Sequence, residues 1–215
     1  MIEKPTEVLG RTVLLRKHTV DVRVWGDTFG GLYHVPPDVI RPTRVLDLGA
    51  NIGLTAAHYR QMWPYCQVFA VELDLDSARV GMRNTDDEVR WLTPVAVAAQ
   101  SGEVTYDRNA ASDAYSILPG YPATAAVPAM TMLEVIRESG WTYVDFCKMD
   151  IEGTEWDVFE QVSEWGPAVH SLLVEVHGPG QSSETLLARA IRMLEEGGYK
   201  AVHHERHPQA VWAIR

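Results

Sequence analysis

Two hydrophobic periods alternate along this chain, and each switch between them marks the edge of an element. Residues 45–48 form a short, mainly apolar run bounded by Pro42 and Gly49, the pattern of a strand buried on both faces. The turn Gly49-Ala50-Asn51-Ile52-Gly53 follows, and residues 54–63 then repeat with helical spacing. The same alternation continues downstream. Strands are predicted at 67–72, 89–98, 141–149 and 171–176, the second of them interrupted by Pro94 and so placed near an edge. Helices are predicted at 75–84, at 131–139 before Gly140, from a capping box at 154–157 to Trp165, and at 184–196. Residues 199–203 and 210–214 are separated by a link too short for a crossover, so they pair antiparallel. The pattern predicts an α/β chain with a doubly wound, Rossmann-like sheet, mostly parallel with the last strand antiparallel. Ahead of it, residues 12–16 and 21–25 read as two short strands of an N-terminal β extension.

Two stretches do not fit this alternation. Residues 103–106 alternate as a hairpin partner of the third strand. Residues 109–128 are rich in Ala, Ser, Pro and Gly without a clear period, the composition of a binding loop or lid in which Tyr115 and Ser116 are the functional candidates. The length of 215 residues suits one domain. A formal charge of −10 argues against a nucleic-acid partner. No apolar run approaches the ~20 residues of a membrane span, and the N-terminus lacks the pattern of a signal peptide. Cys66 and Cys147 lack metal-type spacing and read as core thiols of a cytoplasmic protein. The seven tryptophans are expected mostly in the core, with an indole or two free to stack on a ligand ring. His34 could face the pocket, although a lone histidine beside prolines is more often at the surface, and the hairpin residues His203, His204 and His207 are expected to be solvated.

The strand, glycine turn and helix at 45–63 build a ligand pocket over a helix N-terminus. Asn51 stands where the dinucleotide fingerprint has its second glycine, and Asp47 would repel a pyrophosphate while attracting an amino or sulfonium group. The spacing D-L-G-x-N-x-G at 47–53 resembles motif I of S-adenosylmethionine-dependent methyltransferases. Glu72 ends the second strand about 20 residues after Gly53, the register of an acid that accepts ribose hydroxyls. Asp47, Gly49, Asn51, Gly53, Glu72 and Ala96 are therefore the expected cofactor contacts.

A second resemblance is more specific. Lys148-Met149-Asp150-Ile151-Glu152-Gly153-Thr154-Glu155 is similar to the hallmark of the FkbM family of methyltransferases, with Glu175-Val176-His177 closing strand five as the family has it. The segment from Thr131 to Asp145 approximates the lead-in, although Glu134 departs from the family's acid one place earlier. The resemblance covers roughly residues 40–178 and implies a class I methyltransferase sheet that methylates a hydroxyl, with residues 1–42 an extension and 43–215 the catalytic core. A sugar or oligosaccharide acceptor, a mannoside among them, is the substrate class it suggests.

Ligands of such sheets bind at the carboxyl ends of the strands, which would gather Asp47, Asp150, Glu175 and His177 around one crevice. Clustered carboxylates need a compensating cation, and Asp150 with Glu175 would hold Mg²⁺ or another divalent ion. Asp150 and His177 are the expected catalytic residues, His177 as a general base titrating near neutrality; Glu152 is a further acid of the same turn. The expected partner is a small-molecule or oligosaccharide acceptor, with no nucleic acid and no membrane, and the reading leaves room for a homodimer. Three alternatives stay open: a non-sugar natural product as acceptor, a nucleic acid or protein as acceptor, and a non-catalytic protein that binds S-adenosylmethionine or a glycan.

Overall fold

The computed structural model describes residues 3–8, 11–87, 89–108, 115–117, 123–178 and 180–215. Strands β1 (Glu3–Val8) and β2 (Arg11–Arg16) pair antiparallel and precede helix α1 (Asp21–Gly26) and a π-helical turn, Asp27–Gly31. Residues 21–25 are thus helical, not a strand. Their alternating valines are satisfied by a helix that leaves Val22 61% exposed, and β2 finds its partner upstream instead. The reversal after β2 is set by Asp21, fully buried, whose carboxylate accepts the Arg16 backbone N–H at 2.7 Å and two guanidinium bonds at 2.8 and 3.0 Å.

The central sheet begins with β3 (Arg44–Leu48), α2 (Leu54–Met62), β4 (Gln67–Val71), α3 (Leu75–Asn84) and β5 (Val89–Leu92). Residues 89–98 do not form one strand: Pro94 has no N–H for a ladder, and the chain leaves the sheet there. It re-forms as β6 (Ala96–Val97) in a separate small sheet with β7 (Gly102–Tyr106) and β8 (Ala125–Met130), in the order β6-β8-β7. Residues 103–106 accordingly pair with 125–128, and the end of the expected loop is a strand. Within that loop, residues 109–114 and 118–122 lie outside the described residues.

Helix α4 (Met132–Glu138) opens with a capping box between Thr131 and Glu134, and β9 (Val144–Met149) follows. Helices α5 (Glu155–Glu160) and α6 (Val162–Trp165), strand β10 (Val169–Glu175), helix α7 (Ser183–Glu196) and strands β11 (Lys200–His203) and β12 (Ala210–Ile214) complete the fold. The seven strands run in the order β11-β12-β10-β9-β3-β4-β5. The pairs β10–β9, β9–β3, β3–β4 and β4–β5 are parallel, and β12 is antiparallel to both of its neighbours. Alternate residues of the strands feed opposite faces. Leu46, Leu48, Cys147 and Met149 pack with apolar residues of α4 to α7, whereas Val45 and Phe146 pack with Ala56 and Tyr59 of α2. No described helix is long and apolar enough to cross a membrane.

The extension is fastened to this core. Val13 and Leu15 pack on Ile52, Leu54 and Val80, and Arg16 also donates to Ser77 Oγ at 2.9 Å and Asn51 Oδ1 at 3.3 Å. Removing one member of a buried ion pair strands the other charge away from water. Asp21→Ala is therefore expected to cost about 3–5 kcal/mol of stability in denaturant unfolding. An unchanged midpoint would show that the Arg16–Asp21 pair contributes nothing to stability.

Candidate functional site

The carboxyl ends of β3, β4, β9 and β10 open into a cavity of about 500 Å³, within the range of small-molecule sites. Its floor is the turn after β3. Gly49 has φ of 74°, and a Cβ there would lie 1.8 Å from the carbonyl oxygen of Asp150, so only glycine fits between the two strand ends. The Gly49 and Ala50 N–H groups both donate to Val71 O at 3.0 Å, locking the turn to the end of β4. Gly49, Asn51, Glu72 and Ala96 line the cavity.

Two of the expected cofactor residues do not. Gly53 backs against Gly81 and Trp91, so its glycine serves the packing of α2 on α3. Asp47 lies beneath the turn with no exposed surface; its Oδ2 accepts from Thr55 Oγ1 at 2.8 Å and its Oδ1 is 3.7 Å from Lys148 Nζ. It braces the turn from below rather than meeting a ligand.

Glu72 is 6% exposed, and its two oxygens accept the N–H groups of Asn51 at 2.8 Å and Asp74 at 2.7 Å. Burial outweighs those two bonds and pushes its carboxyl up to about 7. Each oxygen keeps a second lone pair for a ligand hydroxyl.

Opposite, the ends of β9 and β10 bring Asp150, Glu175 and His177 together, with one ligating atom of each within 4.8 Å of the others. The fully buried Glu155 carboxylate takes the N–H groups of Ile151 at 3.0 Å and Gly153 at 2.9 Å, and its Oε1 is 3.1 Å from His177 Nδ1. The predicted capping box at 154–157 is therefore absent: Thr154 Oγ1 donates instead to Val97 O and Ile151 O, each at 3.2 Å. His177 Nε2 faces Glu175 at 3.5 Å and Asp150 and Glu152 at 3.8 Å. Burial opposes its charge, yet the bonds to Glu155 and Glu175 and the charges of Glu155 and Asp150 prevail and push His177 up to about 12. The expected titration near neutrality is thus lost to the surrounding acids. Burial would raise Glu175, but bonds from His177 and His207 hold it below the usual carboxylate range. Glu152 has a left-handed backbone with φ of 55°, and burial together with Asp150 pushes its carboxyl up to about 8.

Several residues near the cavity wall were only partly evident in the sequence. His34 and His207 are buried, not solvated, as is His204; of that hairpin trio only His203 is exposed. His34 lines the cavity and its Nε2 is 2.7 Å from His58 Nδ1. His207 Nε2 is 3.3 Å from Glu175. Tyr33 also lines the cavity; so does Tyr115, a candidate already named in the sequence, and the other loop candidate, Ser116, donates its Oγ–H to Glu152 O at 2.7 Å. No tryptophan is among the described lining residues.

A sequence profile of the FkbM methyltransferase domain matches residues 47–201. The chain belongs to this family. A comparison with curated protein sequences finds no match. Among solved structures, the fibrillarin pre-rRNA processing protein of Methanococcus jannaschii aligns at 12% identity over 99% of this chain and 81% of that one, with a TM-score of 0.56. A Nostoc punctiforme PCC 73102 protein designated an O-methyltransferase aligns at 11% identity over 91% of this chain, with a TM-score of 0.54. The mitomycin 7-O-methyltransferase MmcR aligns at 14% identity over 91% of this chain, with a TM-score of 0.50. This chain spans 58% of the Nostoc protein and 55% of MmcR. At such identities the likeness is one of fold, the class I methyltransferase sheet. The FkbM hallmark at 148–155 supplies Asp150, Glu152 and Glu155 of the cluster. His34 and His207 lie outside the matched residues, where the family pattern offers no guide.

Replacing Gly49 tests the turn directly. Gly49→Ala adds an unfavourable backbone conformation and a clash with Asp150 O, and is expected to destabilise the protein by about 2–5 kcal/mol in thermal or denaturant unfolding. A variant as stable as wild type would mean that the two strand ends are not in contact.

Proposed function

We propose that this FkbM family member is an S-adenosylmethionine-dependent O-methyltransferase whose acceptor is a hydroxyl of a sugar or oligosaccharide, mannosides included. The observation that carries the reading is a single cavity with a glycine turn and Glu72 at one end and the Asp150–Glu175–His177 cluster at the other. S-adenosylmethionine supplies an electrophilic methyl group when bound. The open turn at Gly49 and Asn51 accommodates its close approach, Glu72 accepts its ribose hydroxyls, and Ala96 leaves room beside the base.

Two carboxylates and an imidazole are a donor set for a divalent cation. The structure favours His177 as the third donor over the base first expected of it. Its Nδ1–H is held by Glu155, which aims Nε2 at Asp150 and Glu175 and reproduces the carboxylate–histidine arrangement that orients metal ligands. An ion held there would acidify a hydroxyl and offset the charge of the acids. The same carboxylates accept hydrogen bonds from neighbouring hydroxyls, as a polyol offers, and the rings of Tyr33 and Tyr115 provide faces on which a sugar can pack.

Glu72 makes cofactor binding pH-dependent. Its carboxyl is protonated below about 7 in the free protein, and an ionised carboxylate is the stronger acceptor of ribose hydroxyls. Affinity for S-adenosylhomocysteine in calorimetry should therefore rise as pH rises through about 7 and become flat in Glu72→Gln, while Glu72→Ala should lose ~1.5–3 kcal/mol. Equal affinity of wild type and Glu72→Ala would remove this residue from the site.

Chelation should abolish methyl transfer to an oligosaccharide panel, followed by mass spectrometry, while leaving S-adenosylhomocysteine binding intact. Full turnover of metal-free protein would sink the ion reading. His177→Ala should weaken divalent-ion binding as well as turnover; unimpaired ion binding would return His177 to the role of base. Methylation of protein or nucleic acid in place of sugars would overturn the acceptor assignment.

A further inference from the structure

Glu175 is held from two sides, and one of them lies outside the family match. His207 belongs to the loop between β11 and β12, beyond residue 201. Its Nδ1 receives the backbone N–H of Gln209 at 3.1 Å. An amide N–H can only donate, so Nδ1 carries no proton and the proton of the neutral ring sits on Nε2. That nitrogen is 3.3 Å from Glu175 Oε2, while the other carboxylate oxygen, Oε1, is 3.5 Å from His177 Nε2.

The ring is not free to turn. Tyr33, from the N-terminal extension, packs edge-on against it with ring centroids 4.6 Å apart. The His207 backbone N–H donates to His204 O at 3.0 Å, and its carbonyl accepts from His203 Nε2 at 2.9 Å. The loop thus presents one tautomer in one orientation to one carboxylate oxygen.

We propose that His207 is a positioning residue for the candidate ion site: its Nε2–H fixes the rotation of the Glu175 carboxylate and turns Oε1 towards Asp150 and His177. The inference rests on the ion-binding reading of the cluster given above. Hydrogen-bonded carboxylate ligands depend on such outer partners, and their loss typically lowers ion affinity ~10–100-fold.

The test is calorimetric titration of Mn²⁺ into the full-length protein, with thermal unfolding of each variant. In His207→Gln the side-chain amide N–H occupies the place of Nε2–H and still donates to Glu175. In His207→Asn the shorter amide can replace Nδ1 only, and Glu175 loses its donor. Mn²⁺ affinity close to wild type in His207→Gln and reduced ~10–100-fold in His207→Asn is the expected result. Wild-type affinity in His207→Asn would overturn the positioning role while leaving the ion site standing. Equal losses in both variants, accompanied by equally lowered unfolding temperatures, would reduce His207 to loop packing and overturn it too. No Mn²⁺ binding by the wild type would overturn the ion-binding reading and this inference with it.

Discussion

The ammonium of Lys148 holds the two halves of the site together. It donates to the carbonyl of Gly49 at 3.0 Å and lies 3.3 Å from Asp150 and 3.7 Å from Asp47. Burial alone would favour the neutral amine, but the charges of Asp150 and Asp47 prevail and hold Lys148 above its usual range. A buried cation of this kind is tolerated only while its anions stay close. The glycine turn after β3 and the end of β9 are therefore joined by charge as well as by the sheet ladder. Asp47 and Lys148 are direct cross-strand partners in that ladder, so the register of β3 against β9 and the pairing of their side chains are one constraint.

The acid cluster extends this logic. Asp150, Glu152, Glu155 and Glu175 all approach His177, and the imidazole is the positive centre that makes their proximity tolerable. A divalent cation would take over that compensation and leave the ring neutral. Glu155 connects the cluster to the backbone by gathering the N–H groups of Ile151 and Gly153, which shapes the turn on which Glu152 adopts its left-handed conformation. Strain at such a position is sustained by its surroundings and is typical of functional turns.

Segments beyond the family match complete the cavity. Arg16 reaches from the extension to Asn51 of the glycine turn, and Tyr33 and His34 reach the wall beside α2. From the other end of the chain, His207 reaches Glu175 and meets Tyr33 ring to ring. The central acids sit at the ends of sheet strands, and part of the cavity wall comes from the extension and the last hairpin. This division is the usual one for folds that support many substrates on one scaffold.

The seven-stranded sheet, the helices that cover it and the identity of the central acids could be read before folding, because those rest on local periodicity and on a short contiguous hallmark. The antiparallel ending and the convergence of Asp150, Glu175 and His177 were legible for that reason, whereas the small sheet β6-β8-β7 was not. Tertiary structure decided whatever depends on a distant partner. Residues 21–25 became a helix because Asp21 answers Arg16, and residues 125–128 became a strand because residues 103–106 needed one. Thr154 left its expected cap for Val97, 57 residues away in sequence. Asp47 moved from ligand contact to buried brace because Thr55 and Lys148 close over it, and His177 lost its neutral-range titration because four carboxylates surround it. His34 was open to either reading in sequence and His207 gave no sign, since a lone histidine acquires meaning only from what the fold sets against it. Propensity is written residue by residue, but burial and electrostatic coupling exist only between residues that folding brings together.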